Sequence, residues 1–157
     1  MFIYLFWCFF NYFRTSLLNA SQYNHYEIIK FLLSHDKIDV NIKSLTGLNI
    51  LDWCISCNDP ECVEIILDST KFPNTQKLQA IKSVINGGNV EILKLFIKNG
   101  IIKLDQRFNQ NSTLLHEVCK NDSYQLADYL LQQNIIDINE QDLNGSTALH
   151  CAVDEGL

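Results

Sequence analysis

The segment DLNGSTALHCAVDEGL, residues 142–157, contains the start of a structural unit that this chain repeats. A turn-forming run leads to Thr147, which can cap a helix, and Leu149 follows two places later, where a helix would bury it. The segment NSTLLHEVCKND, residues 111–122, has the same order, because Thr113 lies 34 residues before Thr147 and is also followed by x-Leu-His. An order that recurs at a fixed period indicates a repeat protein.

Weaker copies of the unit lie nearer the N-terminus. The segments GLNILDWCISCN (47–58) and TSLLNASQYN (15–24) keep the order, and Asn49 lies 34 residues after Thr15. A second motif follows each copy, in which a Gly, Asn or Asp precedes apolar residues at helical spacing. Its four occurrences are NHYEIIKFLL, NDPECVEIIL, GNVEILKLFI and DSYQLADYLL, starting at residues 24, 58, 88 and 122.

Each unit therefore reads as a turn, a short helix, a break, a second helix and an extended loop. The Gly, Asn or Asp at the break tolerates a positive φ and can end the first helix. The second helix buries one face against the first helix and against the neighbouring unit. Because no unit can bury its apolar face alone, neighbouring units must stack. The pattern predicts an all-α solenoid of antiparallel helix pairs joined by hairpin-like loops.

The pattern resembles the ankyrin repeat, D-x-x-G-x-T-P-L-H-x-A-A followed by G-H-x-x-I-V. The resemblance covers about residue 14 to the end and implies repeats at 14–43, 44–73, 74–107 and 108–141, with an incomplete one at 142–157. In the second repeat Asp52 replaces the histidine of the motif, and in the weak third repeat Lys82 does so. The positions that match the motif and would hold the repeats together are Thr15, Leu17, Gly47, Leu51, Thr113, Leu115, His116, Gly145, Thr147, Leu149 and His150.

In ankyrin proteins the implied contact surface consists of the loop tips and the exposed side of the first helices. The resemblance implies a partner-binding surface at the equivalent positions of this chain. Its loop-tip residues would be Leu45, Thr46, Leu48, Asn109, Gln110, Ser112, Leu143, Asn144 and Ser146, and its helix-end residues Gln22, Tyr23, Ser56, Cys57, Lys120 and Asn121. Leu45 and Leu143 lie in otherwise polar turns and have no evident core role, which favours contact with a partner.

Composition excludes some classes of function. With 47% hydrophobic and 19% charged residues, the chain matches globular proteins and is too hydrophobic for disorder. The net charge of −6 and the lack of any dense run of Lys or Arg argue against a nucleic-acid partner.

The cysteines and histidines do not indicate an enzyme, a cofactor or a metal site. Cys54 and Cys57 form a C-x-x-C motif, but no second pair follows at a spacing suited to zinc. We expect Cys54 and Cys62 to pack in the core, Cys57 to be exposed, and all six cysteines to be reduced, which points to a cytosolic or nuclear compartment. The histidines of both T-x-L-H motifs lack a paired nucleophile, so a structural hydrogen-bonding role is expected.

Trp53 has two interpretations. It follows the histidine-equivalent position on a first helix, where it would pack against the neighbouring repeat. An exposed tryptophan there would instead be an anchor for a partner, because large aromatic side chains dominate binding hot spots.

The first thirteen residues, MFIYLFWCFFNYF, are apolar or aromatic almost throughout. A spanning helix needs about 20 such residues, so this segment is too short. No Lys or Arg precedes Arg14, which argues against a signal peptide. We expect a hydrophobic cap or a misassigned chain start. A signal or membrane anchor stays open as the alternative to a cytoplasmic protein, and membrane contact through residues 1–13 is not favoured.

These observations predict a non-catalytic scaffold that binds an unidentified protein. The alternative is a recognition segment of a larger catalytic, ubiquitin-ligase adaptor or membrane protein, truncated at one or both ends. The unit that begins at Asp142 lacks its second helix, so Leu149 and Val153 would be incompletely covered. We therefore expect that end of the array to fray.

Overall fold

The computed structural model describes residues 15–44, 46–133 and 136–154. The expectations for residues 1–13 and for Leu45 lie outside these ranges. The chain divides into two compact units, residues 1–77 and 78–157. Helices in the described ranges are α1 Ser16–Gln22, α2 Tyr26–Ser34, α3 Ile50–Ser56, α4 Pro60–Asp68, α5 Asn74–Gln79, α6 Ile81–Gly87, α7 Val90–Lys98, a 3-10 turn Asn109–Asn111, α8 Leu114–Lys120, α9 Tyr124–Leu131 and α10 Ala148–Asp154.

The first unit contains two helix pairs. Helix α1 packs against α2, and α3 packs against α4. The pairs also contact each other in register, with α1 against α3 and α2 against α4. The apolar face of each helix supplies the core, in which Leu18, Ile29, Leu51 and Ile66 are fully buried. First helices thus lie beside first helices and second helices beside second helices, as expected for stacked repeats.

The second unit is built in the same way. Helix α6 packs against α7 and α8 against α9, while α6 also contacts α8 and α7 contacts α9. Helix α10 packs against α8 as the first helix of a further repeat. Leu93, Phe96, Leu115 and Leu126 form the fully buried centre of the two pairs. The predicted all-α class with paired helices is confirmed for the described residues.

The residue at the break between the two helices of each pair has a positive φ. These residues are Asn24 (φ 55°), Asn58 (φ 60°), Gly88 (φ 67°) and Asp122 (φ 51°). Left-handed backbone is tolerated by glycine and, among other residues, mainly by Asn and Asp. The sequence prediction for the break is confirmed at all four positions, including the weak third repeat.

The third repeat departs from the others before its first helix. Helix α5 precedes α6, and its Lys77 is buried although it is charged. The Lys77 ammonium donates to the carbonyl oxygens of Leu67, at 2.5 Å, and Ser69, at 3.4 Å. The Lys77 ammonium therefore donates hydrogen bonds to the C-terminal end of α4. Burial of the Lys77 side chain lowers the pKa of Lys77.

The cysteines of the second repeat require a correction. Cys54 and Cys62 are fully buried, as expected, but a disulfide joins them. The expectation that all cysteines are reduced is wrong for this pair, because the packing of α3 against α4 brings the two sulfur atoms together. Cys57 is an exposed thiol. Trp53 is buried, so the interpretation of this residue as a core side chain is confirmed.

Candidate functional site

The turn before α10 is closed by a carboxylate. The Asp142 side chain accepts hydrogen bonds from the backbone N–H groups of Asn144, at 2.8 Å, and Ser146, at 3.0 Å. The bond from Ser146 has the larger effect and the bond from Asn144 the smaller, and both hold the pKa of Asp142 below its ordinary value. Gly145 has φ of 78°, which glycine adopts without strain. The turn therefore presents Leu143 and Asn144 at its tip.

The turn before α3 uses the same geometry with different chemistry. Ser44 occupies the place of Asp142, because its hydroxyl accepts the N–H of Leu48 at 3.2 Å and its own N–H donates to the Leu48 carbonyl at 2.8 Å. Gly47 takes the left-handed conformation, with φ of 81°. Thr46 is exposed and Leu48 is half-buried at this turn.

The turns before α8 and α10 are joined at their tips. The side-chain amide of Asn144 donates to the side-chain oxygen of Gln110 at 2.6 Å. The backbone N–H of Leu143 donates to the carbonyl of Gln110 at 2.9 Å. We name the four residues Asn109, Gln110, Leu143 and Asn144 the hairpin edge. The two bonds make the hairpin edge one continuous surface within the second unit.

A buried histidine, His116, is hydrogen-bonded to the turn that carries Leu143 of the hairpin edge. The Nδ1 atom of His116 accepts the backbone N–H of Thr113 at 3.2 Å and lies 2.7 Å from the Thr113 hydroxyl. Since Nδ1 accepts, the hydrogen is assigned to Nε2, which donates to the carbonyl of Ser146 at 2.9 Å. His116 thereby connects the first turn of α8 to the turn that carries Leu143. In the last repeat His150 makes the same contact with Thr147, but it is exposed.

In the second repeat Asp52 takes over part of the histidine role. Its carboxylate accepts the backbone N–H of Asn49 at 3.5 Å, and the Asn49 side chain accepts the N–H of Asp52 at 3.0 Å. The two residues form a capping box that satisfies helix-end donors.

Other predicted motif residues lie in the core or at helix starts. Thr15 caps α1 by accepting the N–H of Leu18 at 3.1 Å. The side chains of Leu17, Leu51 and Leu115 are buried, whereas Leu149 on α10 is 70% exposed.

Most predicted contact residues of the described ranges reach the surface. The exposed ones are Tyr23, Thr46, Ser56, Cys57, Asn109, Gln110, Asn121, Leu143 and Asn144, and the half-buried ones are Gln22, Leu48, Lys120 and Ser146. Four of them form the hairpin edge. Leu143 is the apolar residue among these four, and it is 77% exposed.

Ser112 and Lys120 are engaged with Glu117 within the fold. Ser112 is fully buried, because its hydroxyl donates to Glu117 at 2.6 Å and its carbonyl accepts the N–H of Phe108 at 2.9 Å. The prediction that Ser112 contacts a partner is wrong for this reason. The ammonium of Lys120 forms an ion pair with Glu117 at 3.0 Å.

The second unit also contains a cleft that the sequence interpretation missed. It has a volume of about 430 Å³ and lies between α6, the end of α5 and the turn before α8. Its lining residues are Leu78, Ile81, Lys82, Ile85, Gln106, Arg107, Phe108, Asn109 and Glu117. Lys82 at the histidine position of the weak third repeat was the available signal of an irregular surface here.

Within residues 15–44, 46–133 and 136–154, no group of three or more His, Cys, Asp or Glu side chains has an arrangement that could hold a metal ion. Among the helices of these same ranges, none combines the length and the apolar character needed to cross a membrane.

Comparison with known proteins gives a consistent result. A family model described as ankyrin repeats (3 copies) matches residues 4–77 and 78–157. The mouse protein "Ankyrin repeat domain-containing protein 53" is 34% identical over 144 residues, which cover 88% of this chain and 27% of that protein. A putative ankyrin repeat protein of Acanthamoeba polyphaga mimivirus is 29% identical over 129 residues, covering 74% and 17%. The chain spans about a quarter or less of these relatives.

Proposed function

The chain belongs to the ankyrin repeat family, and from this premise we propose that it is a non-catalytic module that holds another protein at the hairpin edge. Ankyrin repeats are generally protein-interaction modules. Repeat stacks suit this role because they present an extended series of equivalent positions to a partner.

The observation that supports this proposal most strongly is the fixed geometry of the hairpin edge. The two bonds from residues 143 and 144 to Gln110 hold the tips in place before any partner arrives. A preorganised surface loses less conformational entropy on binding than a mobile one. Leu143 offers an exposed apolar side chain, and the amides of Asn109 and Asn144 offer directional hydrogen bonds around it.

Affinity measurements on matched variants test the proposal. Partners captured with the wild-type chain are titrated against Leu143→Asp and against Tyr124→Asp, which changes an apolar side chain of similar exposure, 73%, on a second helix. We expect Leu143→Asp to weaken binding at least about tenfold, in the range of a hot-spot residue, and Tyr124→Asp to leave it unchanged. Equal affinities of all three proteins for every partner would contradict the proposal.

The same surface could serve a longer protein. The compared relatives are several times the length of the matched region. We therefore propose that this array is the partner-recognition segment of a longer protein that contains further domains. Sequencing the full transcript tests this second proposal. Coding sequence for a further domain would support it, and an open reading frame confined to these residues would contradict it.

A further inference from the structure

The cleft of the second unit lies beside Lys82, which stands at the histidine position of the motif. In the following repeat, His116 bonds to the carbonyl of Ser146 and draws the next turn onto its helix. The equivalent position in the third repeat is Lys82, which is exposed. A lysine has donors only, so it cannot accept an N–H at the helix start as Nδ1 of His116 does. The turn of residues 106–109 and helix α6 both line the cleft.

The floor of the cleft is apolar. Ile81 and Ile85 line it from α6, Leu78 from α5 and Phe108 from the opposite turn. Leu78 is partly exposed, at 39%, so apolar surface faces solvent at the mouth. The cleft volume lies at the lower end of the range of about 300–1,000 Å³ for ligand sites. This size suits a large side chain and its neighbours better than a whole cofactor.

Of the three charged side chains that line the cleft, two form ion pairs within the chain. Arg107 forms an ion pair with Glu140 at 2.5 Å. Glu117 is paired with Lys120 at 3.0 Å and accepts the Ser112 hydroxyl at 2.6 Å. Within the described part of the chain, Lys82 has neither a hydrogen bond nor an ion pair. The mouth consequently carries one uncompensated positive charge beside an apolar floor.

Local charge should govern the choice of partner here. The whole chain is acidic, with a net charge of −6, which would on its own favour a basic partner. At physiological ionic strength, however, exposed charges separated by more than about 8 Å are largely screened. A group seated at the mouth therefore interacts chiefly with Lys82.

We propose that this cleft binds a peptide segment of the protein partner in which a large apolar side chain adjoins an Asp or Glu. The apolar side chain enters between Ile81 and Phe108, and the carboxylate pairs with the Lys82 ammonium. Asn109 lines the cleft and also belongs to the hairpin edge, so one partner can occupy both surfaces. This inference rests on the proposed protein-binding function and names the chemistry of the segment that is recognised.

Selection from a random peptide display library tests the inference on the full chain. The wild type is compared with Lys82→Glu, with Leu78→Asp at the floor, and with Lys103→Glu, an equal charge reversal at an exposed lysine outside the cleft. We expect wild-type selections to be enriched in an apolar residue next to Asp or Glu. Lys82→Glu should bind these peptides on the order of tenfold more weakly and select Lys or Arg instead. Leu78→Asp should lose them, and Lys103→Glu should keep them.

The outcomes separate this inference from the proposed function. Wild-type peptides without acidic enrichment, or equal binding by Lys82→Glu, would overturn the inference. If Leu143→Asp loses binding to the selected peptides and Lys82→Glu retains it, the inference about the cleft is overturned and the proposal for the hairpin edge is supported. Failure to select any peptide that depends on Lys82, Leu78 or Leu143 would count against both. Thermal unfolding of each variant identifies any loss of binding caused by misfolding.

Discussion

The Nε2 atom of His116 donates to the carbonyl oxygen of Ser146 at 2.9 Å, and this bond joins residues of two successive repeats that lie 30 positions apart. The other ring nitrogen accepts from Thr113, so one buried imidazole satisfies two backbone groups. The same histidine occurs in the last repeat as His150, where it is exposed. Substitution of His116 and of His150 therefore measures, within one protein, how much burial and inter-repeat bonding contribute to the free energy of unfolding.

We expect His116→Ala to lower the free energy of unfolding by about 2–3 kcal/mol, because it leaves a cavity, removes the acceptor of the Thr113 N–H and removes one of the two donors to the Ser146 carbonyl. The matched variant His150→Ala should cost less than about 1 kcal/mol, since solvent can replace the lost contacts there. Urea unfolding measures both values. Equal losses would show that the inter-repeat bond of His116 adds nothing to stability.

Asp142 should make the last turn sensitive to acid. Its pKa is lower in the folded chain than in the unfolded chain, because the N–H groups of Ser146 and Asn144 stabilise the carboxylate. The carboxylate therefore stabilises the fold fully above the unfolded pKa, about 3.9, and this contribution is lost as pH falls through the folded pKa. Asp142→Asn keeps an acceptor oxygen but does not titrate.

The difference in unfolding free energy between wild type and Asp142→Asn should be constant above about pH 5 and should shrink below about pH 4. Chemical unfolding at a series of pH values measures it. A difference that stays constant down to the lowest pH would contradict the role given to the carboxylate.

Two adjacent glycines should respond in opposite directions to alanine. Gly88 has φ of 67° at the break between α6 and α7, so Gly88→Ala should destabilise the chain by about 1 kcal/mol through backbone strain. An added Cβ there would meet its nearest neighbour, the Ser123 hydroxyl, only at 3.9 Å, so crowding is not the cause. Gly87 is the last residue of α6 and is exposed, so Gly87→Ala should stabilise by about 0.5–1 kcal/mol. Thermal unfolding that ranks the two variants in the reverse order would contradict the assigned break.

Cys57 should react slowly with alkylating agents although it is exposed. Burial of the sulfur, and then the nearby charge of Asp59, raise the pKa of the Cys57 thiol to about 11. At pH 8 we expect its alkylation by iodoacetamide to be roughly a hundredfold slower than that of an unperturbed thiol, because the thiolate is the nucleophile. The rate should rise about tenfold per pH unit up to about pH 10. Mass spectrometry of the Cys57 peptide measures it, and a rate that levels off near pH 9 would contradict the raised pKa.

The repeat architecture was predictable because it depends on local backbone requirements. Asn24, Asn58, Gly88 and Asp122 belong to residue types that tolerate positive φ, and their spacing identifies the break even where the rest of the motif is weak. Thr113 was likewise recognisable as a helix cap, because capping needs only the neighbouring residues.

The details that depend on side-chain packing were not predictable in the same way. Ser112 has the composition of a loop residue, yet Glu117 draws its hydroxyl inward. Cys54 and Cys62 were recognisable as core residues, but only the packing of α3 on α4 shows that their sulfur atoms meet. The cleft beside Lys82 depends on how the turn of residues 106–109 packs beside α6, and the sequence motif does not show that packing.

Site-specific photocrosslinking at the hairpin edge tests the central proposal most directly. A photoreactive phenylalanine analogue replaces Leu143 in one protein and Tyr124 in a second, and both are irradiated with their captured partners. We predict a specific covalent adduct from position 143 and none from position 124, since only the first lies on the hairpin edge. Adducts from position 124 alone, or equal yields from both positions, would contradict the account.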